Sequence, residues 1–239
     1  MHREGEAPEF LAAVLRLRGI EVAEPVAAGE IEDLEEAIGA LLPGPHAELL
    51  HRANGIVGAY GYERILAAGS GPMSIGEWNE FETWKFAWAV PLDDFLCIAE
   101  TGFGDQYAYR ISELRRGLSV VYRLERHLME PTDEPAAPDF EAFMRQFFAR
   151  VHIAPQEVLA ARATVGNLAL DEHAVQSPPP LLAGSSAAGL VRLPATTAMI
   201  LQGDLATQLL DPANAERQVE GLETYQDDQD RPRLRVLWE

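Results

Sequence analysis

The residues Thr101 to Tyr109, TGFGDQYAY, place two glycines, a carboxylate and a carboxamide between apolar runs. That composition suits either a phosphate loop or a catalytic acid turn. A dinucleotide loop needs G-x-G-x-x-G feeding a helix, so that backbone N–H groups point at phosphate. Gly102 and Gly104 have no third glycine, and the alternating QYAYRI that follows has the period of a strand. A Walker loop needs Gly-Lys-Ser/Thr, whereas Lys85 is the only lysine in the chain. Phosphate chemistry is therefore excluded at this stretch. A hydrolytic acid at Asp105 would need a second carboxylate converging on it, and Glu100 is the nearest candidate. The simpler reading is a hairpin corner, in which the glycines supply positive φ and Asp105 accepts nearby backbone N–H groups.

Other chemical patterns also fail. The segment DDQDRPRLRVLWE spaces Asp228, Asp230 and Glu239 like a calcium loop, but Arg233 stands where the sharp turn needs glycine. GSSAAG approaches a nucleophile elbow but lacks the second glycine at the spacing of G-x-S-x-G. The six histidines, at 2, 46, 51, 127, 152 and 173, lack zinc-ligand spacing. Cys97, the one cysteine, lies in the apolar run FLCIA and reads as a buried small hydrophobe. No catalytic residue, metal ligand or cofactor site emerges, so the expectation is a protein that is not an enzyme.

Charge is the unusual quantity. Against 19 basic residues stand 38 acidic ones, a formal net of −19. The excess is spread along the chain, with −7 over residues 1–40, −6 over 41–150 and −6 over 171–239. Such a field repels nucleic acid and anionic membrane and speeds encounter with basic proteins. The run EWNEFETWKFAW then stands out. Its rings can be core, the reading favoured for Phe86 and Trp88. Trp78 and Trp84 beside Glu77, Glu80 and Glu82, with Asp93 and Asp94 following, also form the mixture expected of a protein-binding rim.

The elements that would carry these residues are legible in part. Phe10, Leu11, Val14 and Leu15 suggest a first helix within residues 1–19, stopped at Gly19. Ile31, Leu34, Ile38, Leu41 and Leu42 recur at helical spacing up to Pro43, and Pro45 can open a further helix ended by Asn54-Gly55. Short strand candidates follow in YGYERILAAG, WKFAW, FLCIAE, QYAYRI and LSVVYRL, the last with Leu118, Val120, Tyr122 and Leu124 on one face. Asp139 is the expected N-cap of a helix burying Phe140, Phe143, Met144 and Phe147. These make an α+β fold: N-terminal helices, a central antiparallel-rich sheet and a closing helix, over residues 20–153. A small β-containing region, 154–239, should pack on it. There APQEVLAARA reads as a linking helix and SPPPLLAGSSAAG as the best candidate for a break. TAMILQGDLATQLL reads as strand, turn and short helix, and the last residues as a hairpin with Leu234, Val236 and Trp238 facing one way. The charged opening MHREGEAPEF has no apolar h-region, and LLAGSSAAGLV is too short to span a bilayer, so a cytoplasmic protein is expected.

The order of these features resembles the SUKH superfamily over about residues 30–151. IEDLEEAIGALLPGPHAELLHRANG is similar to its opening, with Ile31, Leu34, Glu35, Leu42, Pro43, Asn54 and Gly55 at matching positions. LCIAETGFGDQYAY matches the apolar strand, Gly-Asp turn and aromatic strand through Gly104, Asp105 and Tyr109, and DFEAFMRQFF supplies the closing Phe-rich helix. The resemblance implies a non-catalytic protein-binding domain. Many bacterial members resemble immunity proteins that neutralise a toxin, and fungal relatives resemble regulatory scaffolds of cell-wall assembly. With the acidic field, it implies a basic, nuclease-type toxin domain as partner, with a scaffold linking cellular proteins, or a hydrolase using Glu100 and Asp105, as alternatives.

Overall fold

The structure is a computed structural model that describes residues 19–27, 29–71, 73–183 and 189–239. The expected first helix, with Phe10, Leu11, Val14 and Leu15, and most of GSSAAG lie outside the described residues. Among the described residues are eight α-helices and ten strands, in an α+β arrangement.

Six strands form one antiparallel meander in sequence order: β1 (Ile20–Val22), β2 (Ile56–Gly58), β3 (Glu63–Ile65), β4 (Phe95–Thr101), β5 (Gln106–Arg110) and β6 (Tyr122–Leu124). Between β1 and β2 come α1 (Glu30–Ile38) and α2 (Gly44–Leu50). Helix α1 buries Ile31 and Leu34 and carries Glu30, Glu32 and Asp33 in its first turn, where negative charge suits the helix dipole. It stops sooner than its spacing predicts. Gly39 turns left-handed and its amide closes on the Glu35 and Glu36 carbonyls, leaving Leu41 exposed. Leu42 is buried, its N–H donating to Glu35 Oε1 at 2.8 Å. Asn54 pairs with the backbone of Ala68 in both directions, donating to its carbonyl at 3.1 Å and accepting from its N–H at 2.7 Å.

Successive strand residues point to opposite faces. Tyr107 and Tyr109 therefore share one face, where Tyr107 packs on Phe143 of α5 (Phe140–His152) and Tyr109 meets His46 of α2. Asp139 caps α5, accepting from Ala142 N–H at 2.8 Å, and Phe140, Phe143, Met144 and Phe147 are buried as the spacing predicts. The opposite face carries Arg64, Glu100 and Gln106, and lies against the segment holding α3 (Ile75–Asn79). Asn79 of α3 brackets Cys97 where the β4–β5 register shifts, donating to its carbonyl and accepting from its N–H, both at 2.7 Å. A short helix, α4 (Ile111–Leu114), follows β5.

Two strand expectations give way here. WKFAW forms a turn of 3₁₀-helix over Lys85–Ala87, because the buried Lys85 Nζ reaches back to the Phe95 carbonyl at 2.8 Å. LSVVYRL is extended only near its end. Val121 and Leu124 point inward while Leu118 is exposed, so its four alternate residues do not share a buried face.

The remaining elements are α6 (Gln156–Val165), β7 (Glu172–Ser177), α7 (Pro180–Ala183), β8 (Gly189–Pro194), α8 (Ala195–Leu210), β9 (Val219–Gln226) and β10 (Pro232–Trp238). Strands β7 and β8 pair with each other, as do β9 and β10. The proline-rich stretch is thus the connection inside a hairpin and makes no break between packed units. TAMILQGDLATQLL is one continuous helix, α8, rather than strand, turn and helix. Its Gly203 is a contact residue: a Cβ there would lie 2.7 Å from the Trp88 indole nitrogen. Through Ala195, Met199, Ile200 and Ala206, α8 joins the same apolar core as the six-stranded sheet.

Candidate functional site

The β4–β5 corner positions the two carboxylates that could do acid chemistry, and it separates them. Gly104 takes φ 102°, and the Asp105 carbonyl accepts from the Thr101 N–H at 2.9 Å. The Asp105 carboxylate accepts from Thr101 Oγ1 at 3.2 Å and from the Arg126 N–H at 3.1 Å, and pairs with Arg123 at 3.1 Å and Arg126 at 3.4 Å. Thr101 and Glu100 are neighbours on β4, so their side chains leave the sheet on opposite faces. Asp105 sides with Thr101, away from Glu100. The hairpin reading holds, and Asp105 serves the loop before α5 as well as its own turn.

Glu100 lies at the centre of a fully enclosed polar network. Its carboxylate meets Arg64 Nη1 at 2.7 Å and His173 Nε2 at 3.1 Å, and accepts from Gln106 Nε2 at 3.0 Å. Gln106 Oε1 accepts from the Trp78 indole N–H at 2.8 Å. Burial alone would push the Glu100 carboxyl up, but the facing His173, Arg64 and Gln106 hold it below its ordinary value. Arg64 also donates through Nε to the Gly61 carbonyl at 2.8 Å, and through Nη2 to the carbonyls of Ala169, at 3.0 Å, and Glu172. One arginine therefore ties β3, β4 and the segment entering β7 together. A carboxylate so fully satisfied has no lone pair aimed at solvent for proton transfer. Nothing in the sequence pattern announced this node beyond an arginine beside Glu63 in short β3 and a glutamate near the end of the apolar β4.

The expected binding rim divides. Trp78 and Trp84 are buried, 1% and 0% exposed, and form no exposed anchor. Their rings pack on each other at 5.7 Å, and the Trp84 indole N–H donates to the Trp78 carbonyl at 2.7 Å. Trp88 is buried under α8, and Phe86 is half-buried beneath the Arg231 guanidinium at 3.8 Å. Phe81, in the same run, is 54% exposed. Glu77, Glu80, Glu82 and Asp93 are at the surface. Glu82 is held by Arg231 at 2.8 Å. Asp94 caps α4, accepting from the Ser112 N–H at 2.8 Å and its hydroxyl at 2.6 Å. Glu77, Glu80 and Asp93 are the rim carboxylates with neither an ion pair nor a side-chain hydrogen bond among the described residues.

A second surface feature lies in the C-terminal elements, where α6, β7, β8, α8 and β9 enclose an open apolar cavity of about 500 Å³. Its lining includes Phe103 of the β4–β5 corner, so it adjoins the sheet. Among the described residues no group of His, Cys, Asp and Glu could hold a metal ion, and no helix is long and apolar enough to cross a membrane.

Comparison with known proteins places these features in a family. A crystal structure of Atu4351 from Agrobacterium tumefaciens is similar over 94% of this chain and 96% of its own, with a TM-score of 0.53 at 12% identity. At that identity the likeness shows the fold alone, including the elements after α5. No curated protein matches the chain. The family model of SMI1 / KNR4 (SUKH-1) matches residues 25–146, from the loop before α1 to the middle of α5. It spans the sheet, the Leu42-Pro43 and Asn54-Gly55 turns and the Gly104-Asp105 corner, and the chain belongs to the SMI1 / KNR4 (SUKH-1) family.

Proposed function

We propose that this protein is a non-catalytic binding module of the immunity type, which engages a basic toxin domain in the cytoplasm and blocks its active surface. Membership of a family that includes toxin-immunity proteins carries the reading. The fully occupied carboxylates of Glu100 and Asp105 support the absence of catalysis, and a net charge of −19 supports a basic partner. Glu77, Glu80 and Asp93 supply steering charge, and Glu82 and Asp94 act mainly within the fold. Electrostatic steering acts on the association rate more than on the lifetime of a complex.

The test is capture with the full chain from the native cell, followed by kinetics on the captured partner. A single stoichiometric basic toxin fragment is expected. Its on-rate should fall steeply with salt, and about tenfold in Glu77→Lys/Glu80→Lys at low salt. Several housekeeping partners in place of a toxin would instead favour a regulatory scaffold, and salt-insensitive association would remove the steering role.

A further inference from the structure

The apolar cavity among the C-terminal elements lies mostly on residues beyond the family match, which ends at 146. Leu201 and Leu205 come from α8, Leu190 and Val191 from β8 and Leu222 from β9. Val191 and Leu222 remain 41% and 38% exposed, although each stands beside other apolar side chains of the same groove. Apolar residues scattered singly on a surface need no explanation, but a contiguous lined groove does. The backbone around it is also unfinished. Strand β8 pairs only with β7 and β9 only with β10, so each presents one open edge among the described residues. Gln202, which lines the groove, has a buried Oε1 with no hydrogen-bond partner.

Charge narrows the occupant. Residues 171–239 carry a net −6. Four of their five arginines are already paired: Arg192 with Glu172, Arg231 with Glu82 and Asp227, Arg233 with Asp204 and Asp227, and Arg235 with Glu223. The fifth, Arg217, covers the Trp238 ring. Arg126 at the groove is held by Asp105, and His127 sits beside Glu125. Glu157 lines the groove and has no ion-pair partner among the described residues. A second copy of this chain would bring −19 against −19.

We propose that this groove docks a short extended segment of a basic protein, its aliphatic side chains seated against α8, β8 and β9 and an Arg or Lys residue facing Glu157. An extended segment satisfies an open strand edge through its main chain and places alternate side chains inward. The proposal rests on the reading of the protein as a binder of basic partners, and it supplies the apolar contact that the buried Trp78 and Trp84 cannot.

The experiment is selection of a random 12-residue peptide library on the immobilised full chain, with counter-selection on Val191→Ser/Leu222→Ser. Both positions are partly exposed, and a thermal melt checks that the variant folds. The expected product is a consensus of alternating aliphatic and Arg or Lys residues. A labelled member should bind the variant about tenfold more weakly than the parent chain. Glu157→Lys, at an exposed position of the groove lining, should weaken it and flatten its salt dependence. No enrichment over the counter-selection, an acidic consensus, or a dimer of the parent chain that Val191→Ser/Leu222→Ser dissociates would each overturn the proposal. If salt-sensitive capture of a basic partner persists while the groove variants are inert, the groove fails and the binding function stands.

Discussion

Replacing Glu100 by Gln should expose how much of the fold depends on one buried charge. The side chains of Arg64 and Glu100 are both 0% exposed and meet at 2.7 Å. Glu100 is the only carboxylate in contact with Arg64 among the described residues. A glutamine keeps the shape and most of the hydrogen bonds but leaves the guanidinium facing only the carbonyls of Gly61, Ala169 and Glu172. Breaking a dry ion pair from one side costs about 3–5 kcal/mol. The retained hydrogen bonds place Glu100→Gln at the lower end, about 3 kcal/mol, a large share of the roughly 5–15 kcal/mol that holds a domain folded. Urea unfolding followed by tryptophan fluorescence measures it, and Trp78 reports locally because its N–H donates to Gln106, itself bonded to Glu100. The double variant Arg64→Met/Glu100→Leu should recover part of the loss, since an apolar pair of similar volume carries no desolvated charge. A loss below about 1 kcal/mol for Glu100→Gln, with an unchanged m-value, would mean that Arg64 reaches water on its own and that the network does not bind β7 to the sheet.

Other substitutions test neighbouring parts. A Cβ at Gly203 would lie 2.7 Å from the Trp88 indole nitrogen, so Gly203→Ala should lower stability by about 1 kcal/mol in urea unfolding, overpacking outweighing the roughly 1 kcal/mol of helix propensity gained; a stabilised variant would refute the contact. Asp94→Ala should cost about 1 kcal/mol through the lost cap of α4 without changing the partner on-rate. Two buried groups set opposing pH trends. Burial holds His46 down to about 3, so the unfolded chain binds the extra proton and stability falls as pH drops below 6.5. Burial pushes the Glu63 carboxyl up to about 7, so the folded chain keeps its proton and stability falls as pH rises from about 4.5 to 7. Urea midpoints across pH 5–7.5 should therefore show Glu63→Gln gaining on the parent chain by up to about 3 kcal/mol as pH rises, and a constant difference would refute the assignment.

Local chemistry determined a good deal by itself. Asp139 followed by Phe140, Phe143, Met144 and Phe147 fixes a capped amphipathic helix, because cap and period are properties of a few consecutive residues. The Gly-Asp corner and the Leu-Pro and Asn-Gly turns likewise depend on backbone preferences of the residues themselves. With the order of these signals, the family and the α+β class were readable without coordinates. Net charge, too, is a sum over the sequence and needs no fold.

What depended on contacts between distant segments was decided only by the tertiary structure. Trp78 and Trp84, spaced among glutamates, look like a wet rim until α3 and the turn after it close against β4 and bury both rings. WKFAW alternates like a strand, but a buried Lys85 reaching the Phe95 carbonyl curls it into a 3₁₀ turn. Gly203 reads as a turn inside TAMILQGDLATQLL, and only the indole of Trp88, more than a hundred residues away, makes glycine the residue that a continuous helix needs there. Glu100 and Asp105 are five residues apart in sequence, yet strand geometry sends them to opposite faces. Whether a polar or aromatic side chain is buried is a property of its neighbours in space, and the neighbours of Glu100 include Arg64 and His173, 36 and 73 positions away.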